Sequence, residues 1–356
     1  MPATPLYDTW FRQIRELRPG ERLTRVRNLV WLIVGIHLSR SVHLSRIAAK
    51  LSFGVTLLAT VQRLTRFLRN PAYDVRAWYH PTVCQLLGAV QGQVRLIIDG
   101  SKVSAGHQLL MVALAYRKRA LPIAWTWVKG ARGHSGAAKQ LALLNYVRTL
   151  LPDKVTVVLV GDCEFGSVPV LQQLARWHWY YVLRQRGNLL ACVGKTFGRL
   201  DALVQGRNQR AWYPQALLTQ EHLFHTHLLT YWETGQDEPW LLATNLPEAL
   251  ATWRAYRRRM WIEEMFGDWK GHGVDIEKTQ LRHFQRLSRL TLAVALWYLW
   301  LVSRGAQAIK DGQRRLVDRK SRRDLSIFRI GMYIIDRCWA CGRPFSISLI
   351  PCFHKL

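Results

Sequence analysis

Three carboxylates set the chemistry this chain can attempt. Asp99 closes the apolar run "VRLIID" (94–99), and Asp162 closes "KVTVVLVGD" (154–162), so each acid stands at the end of a buried strand. In open α/β sheets, ligands sit in the crevice beyond the carboxyl ends of the strands. Either acid alone also reads as a turn residue, because "DGS" and "GDCEFGS" are good turn sequences in which aspartate bonds nearby backbone. Two acids closing two strands of one sheet can both reach one cation.

The third acid comes from "YRRRMWIEEMFGDWK" (256–270), where two glutamates sit among cations and large apolar residues. Read as one helix at about 100° per residue, Tyr256, Arg259, Glu263 and Lys270 share a stripe roughly 60° wide. Trp261, Ile262, Met265, Phe266 and Trp269 form a contiguous apolar face, and Glu264 falls away from both. The plain alternative is a salt-bridged helix with Arg259 and Glu263 as an i,i+4 pair, worth a few tenths of a kcal/mol. The strand-end aspartates favour Glu263 as a third ligand. Three carboxylates suit Mg²⁺, or equally Mn²⁺, and two such ions about 3.5–4 Å apart clamp both oxygens of an in-line phosphoryl displacement. Cations beside the acids then bind the flanking phosphates.

The composition fits a phosphate-rich partner. Among 356 residues, 51 are Lys or Arg and 23 are Asp or Glu, a net charge of +28 spread along the chain. An excess of this size points to nucleic acid before acidic membrane. The apolar segments "LVWLIVGI" (29–36) and "LTLAVALWYLWLV" (290–302) fall short of the ~20 residues of a spanning helix and read as buried helices. No membrane association is expected. The N-terminus lacks an export signal pattern. The six cysteines do not form a disulfide framework, so a reducing cytoplasmic compartment is expected.

The elements that must position the acids follow from the change of period along the chain. Residues 1–92 read as a helical N-terminal domain, in which 44–51 and 56–70 resemble a helix-turn-helix as much as a plain helical hairpin. A role in binding DNA ends is the expectation for the first case. Residues 93–188 read as three strands, helix, strand, helix and strand, an α/β layer with a mixed sheet. Residues 189–246 alternate like strands and read as a β-rich insertion. Helices resume over 247–304, and 305–356 form a basic C-terminal region.

Tyr256, Arg259, Glu263 and Lys270 reproduce Tyr-x2-Arg-x3-Glu-x6-Lys, four of four at that spacing. The chain thereby resembles insertion-sequence transposases with an RNase H-like DDE domain. "IIDGS" at Asp99, "GDCEFGS" at Asp162, "YVLRQRGN", "WLLATNL" and "RRDLSIFRIG" resemble that family's successive motifs, so the likeness spans about 95–331. The resemblance implies an RNase H-like catalytic core with a β-rich insertion and helical N- and C-terminal regions. It implies a catalytic, metal-binding triad of Asp99, Asp162 and Glu263 with two Mg²⁺ or Mn²⁺ ions. It also implies that Tyr256, Arg259 and Lys270 hold the terminal phosphates of a transposon end. The partners would be double-stranded transposon ends and target DNA, bound by a homodimer at a bacterial nucleoid.

In that family an aromatic of the insertion stacks on a flipped base. Trp212, Tyr213, Trp232 and Trp240 are candidates, and spacing does not choose among them. His222, His225 and His227 read as ordinary strand residues. Cys338, Cys341, Cys352 and His354 are zinc-type ligands at tight spacing, set against free thiols in a packed tail. Two other readings share parts of this pattern. One is an RNase H-like nuclease without strand transfer, and the other is a transposase-derived DNA-binding protein without catalysis.

Overall fold

The computed structural model describes residues 4–51, 54–104, 106–130 and 135–353. The chain forms two compact units: Met1–Gln91 with Val103–His107 and Phe266–Leu356, and Gly92–Lys102 with Gln108–Met265. The first unit opens with five helices, α1 (Thr4–Leu17), α2 (Leu23–Ser39), α3 (Leu44–Ala48), α4 (Leu57–Arg69) and α5 (Val75–Gly88). α2 carries the apolar run 29–36, and eight of its nine buried residues lie between Leu29 and His37, with Val26 the ninth. Thr56 caps α4 by accepting from Ala59 N–H (3.2 Å), and Asp74 caps α5 by accepting from Arg76 N–H (3.0 Å). Each such cap satisfies a helix-end donor and contributes about 1 kcal/mol.

The second unit is built on a ten-stranded sheet. Its strands are β1 (Val94–Ser104), β2 (His107–Tyr116), β3 (Arg119–Lys129), β4 (Val157–Gly161), β5 (Tyr180–Arg184), β6 (Leu190–Val193), β7 (Thr196–Arg199), β8 (Arg210–Leu218), β9 (Phe224–Tyr231) and β10 (Trp240–Thr244). The order across the sheet is β3-β2-β1-β4-β5-β10-β9-β8-β6-β7. Arg117 and Lys118, both at positive φ, make the two-residue turn that joins β2 to β3. β4 runs parallel to β1 and β5, which needs helical crossovers, supplied by α6 (Ala137–Arg148) and α7 (Val168–Arg176). Every residue of β4 is buried, as a strand covered on both faces requires. This is a mixed, RNase H-like α/β sheet. β10 pairs antiparallel with β5 and β9, so the strands of the β-rich segment continue the same sheet. After β10 come α8 (Ala249–Tyr256), a 3-10 turn (Arg257–Arg259) and α9 (Met260–Trp269).

The chain ends in the first unit with α10 (Phe284–Lys310) and α11 (Ile327–Ala340). The apolar run 290–302 lies inside a 27-residue helix, longer than its sequence limits indicate. By length and composition α10 is able to cross a membrane, but 83% of its most apolar window is buried inside the protein. Trp297 and Tyr298 pack on Phe328 of α11 with ring centroids 5.4 and 5.3 Å away. The helices approach so closely that a Cβ on Gly331 would collide with the Leu301 carbonyl oxygen. Arg289, also buried, donates to the carbonyls of Leu68 (2.7 Å) and Tyr73 (3.3 Å), which tie α10 to the N-terminal helices.

Candidate active site

Strand register brings the two aspartates together. Ile98 and Gly161 are the last paired residues of β1 and β4, and Asp99 and Asp162 follow them. Asp99 is not at the end of its strand, contrary to the sequence expectation, because β1 continues to Ser104. What ends there is the pairing, since the chain leaves the sheet at Asp162. Gly161 permits the approach: a Cβ at this position would lie 2.8 Å from Ile98 Cγ2 and press on Leu183 and Phe165. Asp162 Oδ1 accepts from Glu164 N–H (2.9 Å), a local turn that fixes the carboxylate.

The segment 256–270 is not one helix. Tyr256 ends α8, the three arginines form the 3-10 turn, and α9 begins at Met260. A 3-10 turn has three residues per turn, so the single helical stripe does not carry through 257–259. Local contacts assign the positions instead. Tyr256 is buried, edge-on to Trp240 at 4.9 Å. Ile262, Met265, Phe266 and Trp269 are buried, and Trp261 is half-buried. Glu263 sits at the rim of that face, whereas Glu264 is 59% exposed and pairs with Arg119 at 3.0 Å. Lys270 belongs to the first unit, where its Nζ lies 2.7 Å from Glu277 Oε1.

Arg259 connects the acids. Its Nη2 donates to Glu263 Oε1 (2.5 Å), and its Nη1 donates to Asp99 Oδ2 (3.4 Å). Its Nε is buried with no hydrogen-bond partner. Burial raises the Asp99 pKa from 3.8 to about 7; Arg259 opposes the rise, while Asp162 and Glu263 add to it. The three carboxylates therefore share one electrostatic field. Burial also pushes the Tyr256 hydroxyl up to about 12, against the fields of Arg259 and Arg184. Burial works against the charge on Arg259, but Tyr256, Asp99 and Glu263 outweigh it and hold the guanidinium firmly protonated.

The donor set is all oxygen, which suits hard divalent cations. Among the described residues, no three His, Cys, Asp or Glu side chains close around a single point. Arg259 is the cation that Asp99 and Glu263 share, and its Nε is buried without a partner. Donor type and field fit a metal site.

Residues outside the expected set support Asp162. The Glu164 carboxylate accepts from Ser135 N–H (2.9 Å), the Ser135 hydroxyl and Gln108 Nε2 (3.2 Å). Gln140 Nε2 donates to Glu164 O at 3.0 Å. The only sequence signal was a glutamate two residues after Asp162 in "GDCEFGS". Beside it, Cys163, Arg184, Gln185 and Arg186 line a cleft of about 400 Å³.

The insertion aromatics separate by environment. Trp240 is buried, and Tyr213 OH donates to Leu203 O at 2.7 Å. Trp232 lies under Arg207 at 4.9 Å, and Trp212 lies 5.3 Å from His227. His227 Nδ1 accepts from Gln215 N–H (3.1 Å). Of the tail ligands, Cys338 and Cys352 are half-buried and Cys341 is exposed, and His354 lies outside the described residues.

The sequence model of the family described as "Transposase DDE domain" matches residues 91–300. No curated protein matches the chain. A solved structure described as the cryo-EM structure of a piggyBac transposase synaptic complex with hairpin DNA is similar to it. That likeness covers 99% of this chain and 83% of the other, at 10% identity and a TM-score of 0.45.

Proposed function

Since this chain belongs to the DDE transposase family, whose domain spans residues 91–300, we propose that it is a cut-and-paste DNA transposase, cleaving transposon ends and joining them to target DNA. The observation that carries this reading is the register that sets Asp99 beside Asp162, with Arg259 tying Asp99 to Glu263. Asp99, Asp162 and Glu263 would hold two Mg²⁺ or Mn²⁺ ions. When bound, such ions supply Lewis-acid charge to the attacking and leaving oxygens. Water attacks the phosphorus, the bond to the 3′-oxygen breaks, and that oxygen leaves as a 3′-hydroxyl. The hydroxyl then attacks a target phosphodiester, releasing a target 3′-hydroxyl in exchange.

Tyr256, Arg259 and Lys270 would hold the terminal phosphates of the transposon end. The +28 charge suits duplex DNA bound by a homodimer at the nucleoid. The test is strand transfer with a pre-cut end in Mg²⁺. Joined product is expected. Cleavage of uncut ends without joining would reduce the protein to a nuclease, and binding alone would reduce it to a DNA-binding protein.

A further inference from the structure

Away from the carboxylates, a cluster of unneutralised charge in the second unit surrounds one indole. Arg210 of β8 and Arg257 of the 3-10 turn each place a guanidinium carbon 4.7 Å from the Trp253 ring centroid. Tyr231 meets the same ring edge-on, at 6.4 Å and 88°. The Trp253 Nε1 is buried without a partner, so that edge of the indole points inward. Arg95, Arg254 and Arg257 are exposed, and Arg258 donates to Arg254 O at 2.8 Å. Burial lowers the Arg258 pKa, and the fields of Arg95 and Arg254 lower it further. Among the described residues, no carboxylate pairs with Arg210, Arg254, Arg257 or Arg258. Like charges kept this close without counter-ions are stabilised by a polyanion.

We propose that Arg210, Trp253 and Arg257 form a clamp for the phosphodiester backbone of duplex DNA, separate from the carboxylates and from the Tyr-Arg-Glu-Lys signature. Stacking engages the face of a guanidinium and leaves its fork of N–H donors in plane, the geometry that meets a phosphate with two hydrogen bonds. The indole is covered by cations, so it serves as the platform that orients them and not as a surface for a base. Contacts of this kind position DNA and carry no sequence information. The clamp rests on the DNA-acting reading above, and its test separates the two.

The full-length protein is titrated with two duplexes of unrelated sequence across a salt series, in chelator so that neither is cut. Each phosphate contact adds about 0.9 to the log–log slope. Arg210→Gln and Arg257→Gln should each flatten the slope by about that amount, equally on both duplexes. Trp253→Leu should keep the slope but weaken binding several-fold, because the charges remain while their orientation is lost; Trp253→Phe should restore most of it. A steep wild-type slope unchanged in the arginine variants overturns the clamp alone. So does a loss confined to one duplex, or a Trp253→Leu protein that melts and binds as wild type. A flat wild-type slope overturns the DNA reading itself, and the clamp with it.

Discussion

Glu263 holds the Arg259 guanidinium at 2.5 Å, and through that group it is linked to Asp99, whose Oδ2 lies 3.4 Å from Nη1. One residue of α9 and one of β1 thus share a single cation. Asp99 is 2% exposed at its side chain and Arg259 is 12% exposed, so water screens their interaction weakly. The cation keeps two acids near each other that would otherwise repel.

Asp99→Asn, Asp162→Asn and Glu263→Gln are each expected to lower end cleavage by about a thousandfold or more, since transition-state charge stabilisation at such sites amounts to several kcal/mol. DNA binding should persist. Glu264→Gln, whose side chain is 59% exposed, should cut at nearly the wild-type rate. A dead Glu264→Gln beside an active Glu263→Gln would reverse the assignment.

The raised pKa of Asp99 makes metal-free stability depend on pH. Its ordinary value is 3.8 and its value in the fold is about 7, so the folded chain binds the extra proton between them. Asp99 alone therefore takes away stability as pH rises from about 4 to 7, by on the order of 4 kcal/mol, while buried His37, whose pKa is pushed down to about 4, adds stability over much of the same range. Asp99→Asn should remove the fall and leave the rise with pH that His37 contributes, and Arg259→Leu should move the Asp99 contribution to higher pH. Urea unfolding in chelator at pH 5 and pH 8 measures it. An Asp99→Asn protein with the wild-type difference would place the titrating group elsewhere.

Glu164 is a positioning residue for Asp162, acting through the turn both share. Glu164→Ala leaves Ser135 N–H and Gln108 without their acceptor, at a cost of about 1–3 kcal/mol. The cleavage rate should fall at least tenfold with DNA affinity unchanged, and Glu164→Gln, which keeps an acceptor oxygen, should recover part of it. Equal loss in both variants would mean that charge, not position, is what Glu164 supplies.

In the first unit, Gly331→Ala should destabilise by roughly 1–3 kcal/mol, as overpacking does, because its Cβ meets the Leu301 carbonyl. At Gly88, in α5, an added methyl would have nothing within 4 Å, so Gly88→Ala should be neutral or stabilising. Melting temperatures of the two variants decide it. If both behave alike, the close helix crossing is not what Gly331 provides.

The fold class was legible because buried parallel strands read as short apolar runs and helices as periodic ones. β4 and α10 were visible in this way. The rim position of Glu263 and the outward turn of Glu264 also followed from spacing, because both lie within the true helix α9. Tyr256 and Arg259 did not fit one wheel, since a 3-10 turn interrupts it and three arginines give no sign of where a helix changes pitch. The Glu164 network was hidden for another reason. Gln108, Ser135 and Glu164 come from separate segments, and hydrogen bonds between distant polar residues leave no period in a sequence.

The strand pairing of the β-rich segment has a consequence for how the protein can change. Arg184 of β5 is paired with Leu242 of β10, so the chain departs from one point of the sheet and returns beside it. Everything from 185 to 241 is a closed excursion whose two ends are already held together by a neighbouring ladder. Doubling a loop costs only about 0.6 kcal/mol once its ends are fixed. The turns of this excursion can thus be lengthened or trimmed at little cost while the ladder that seats Asp162 keeps its register.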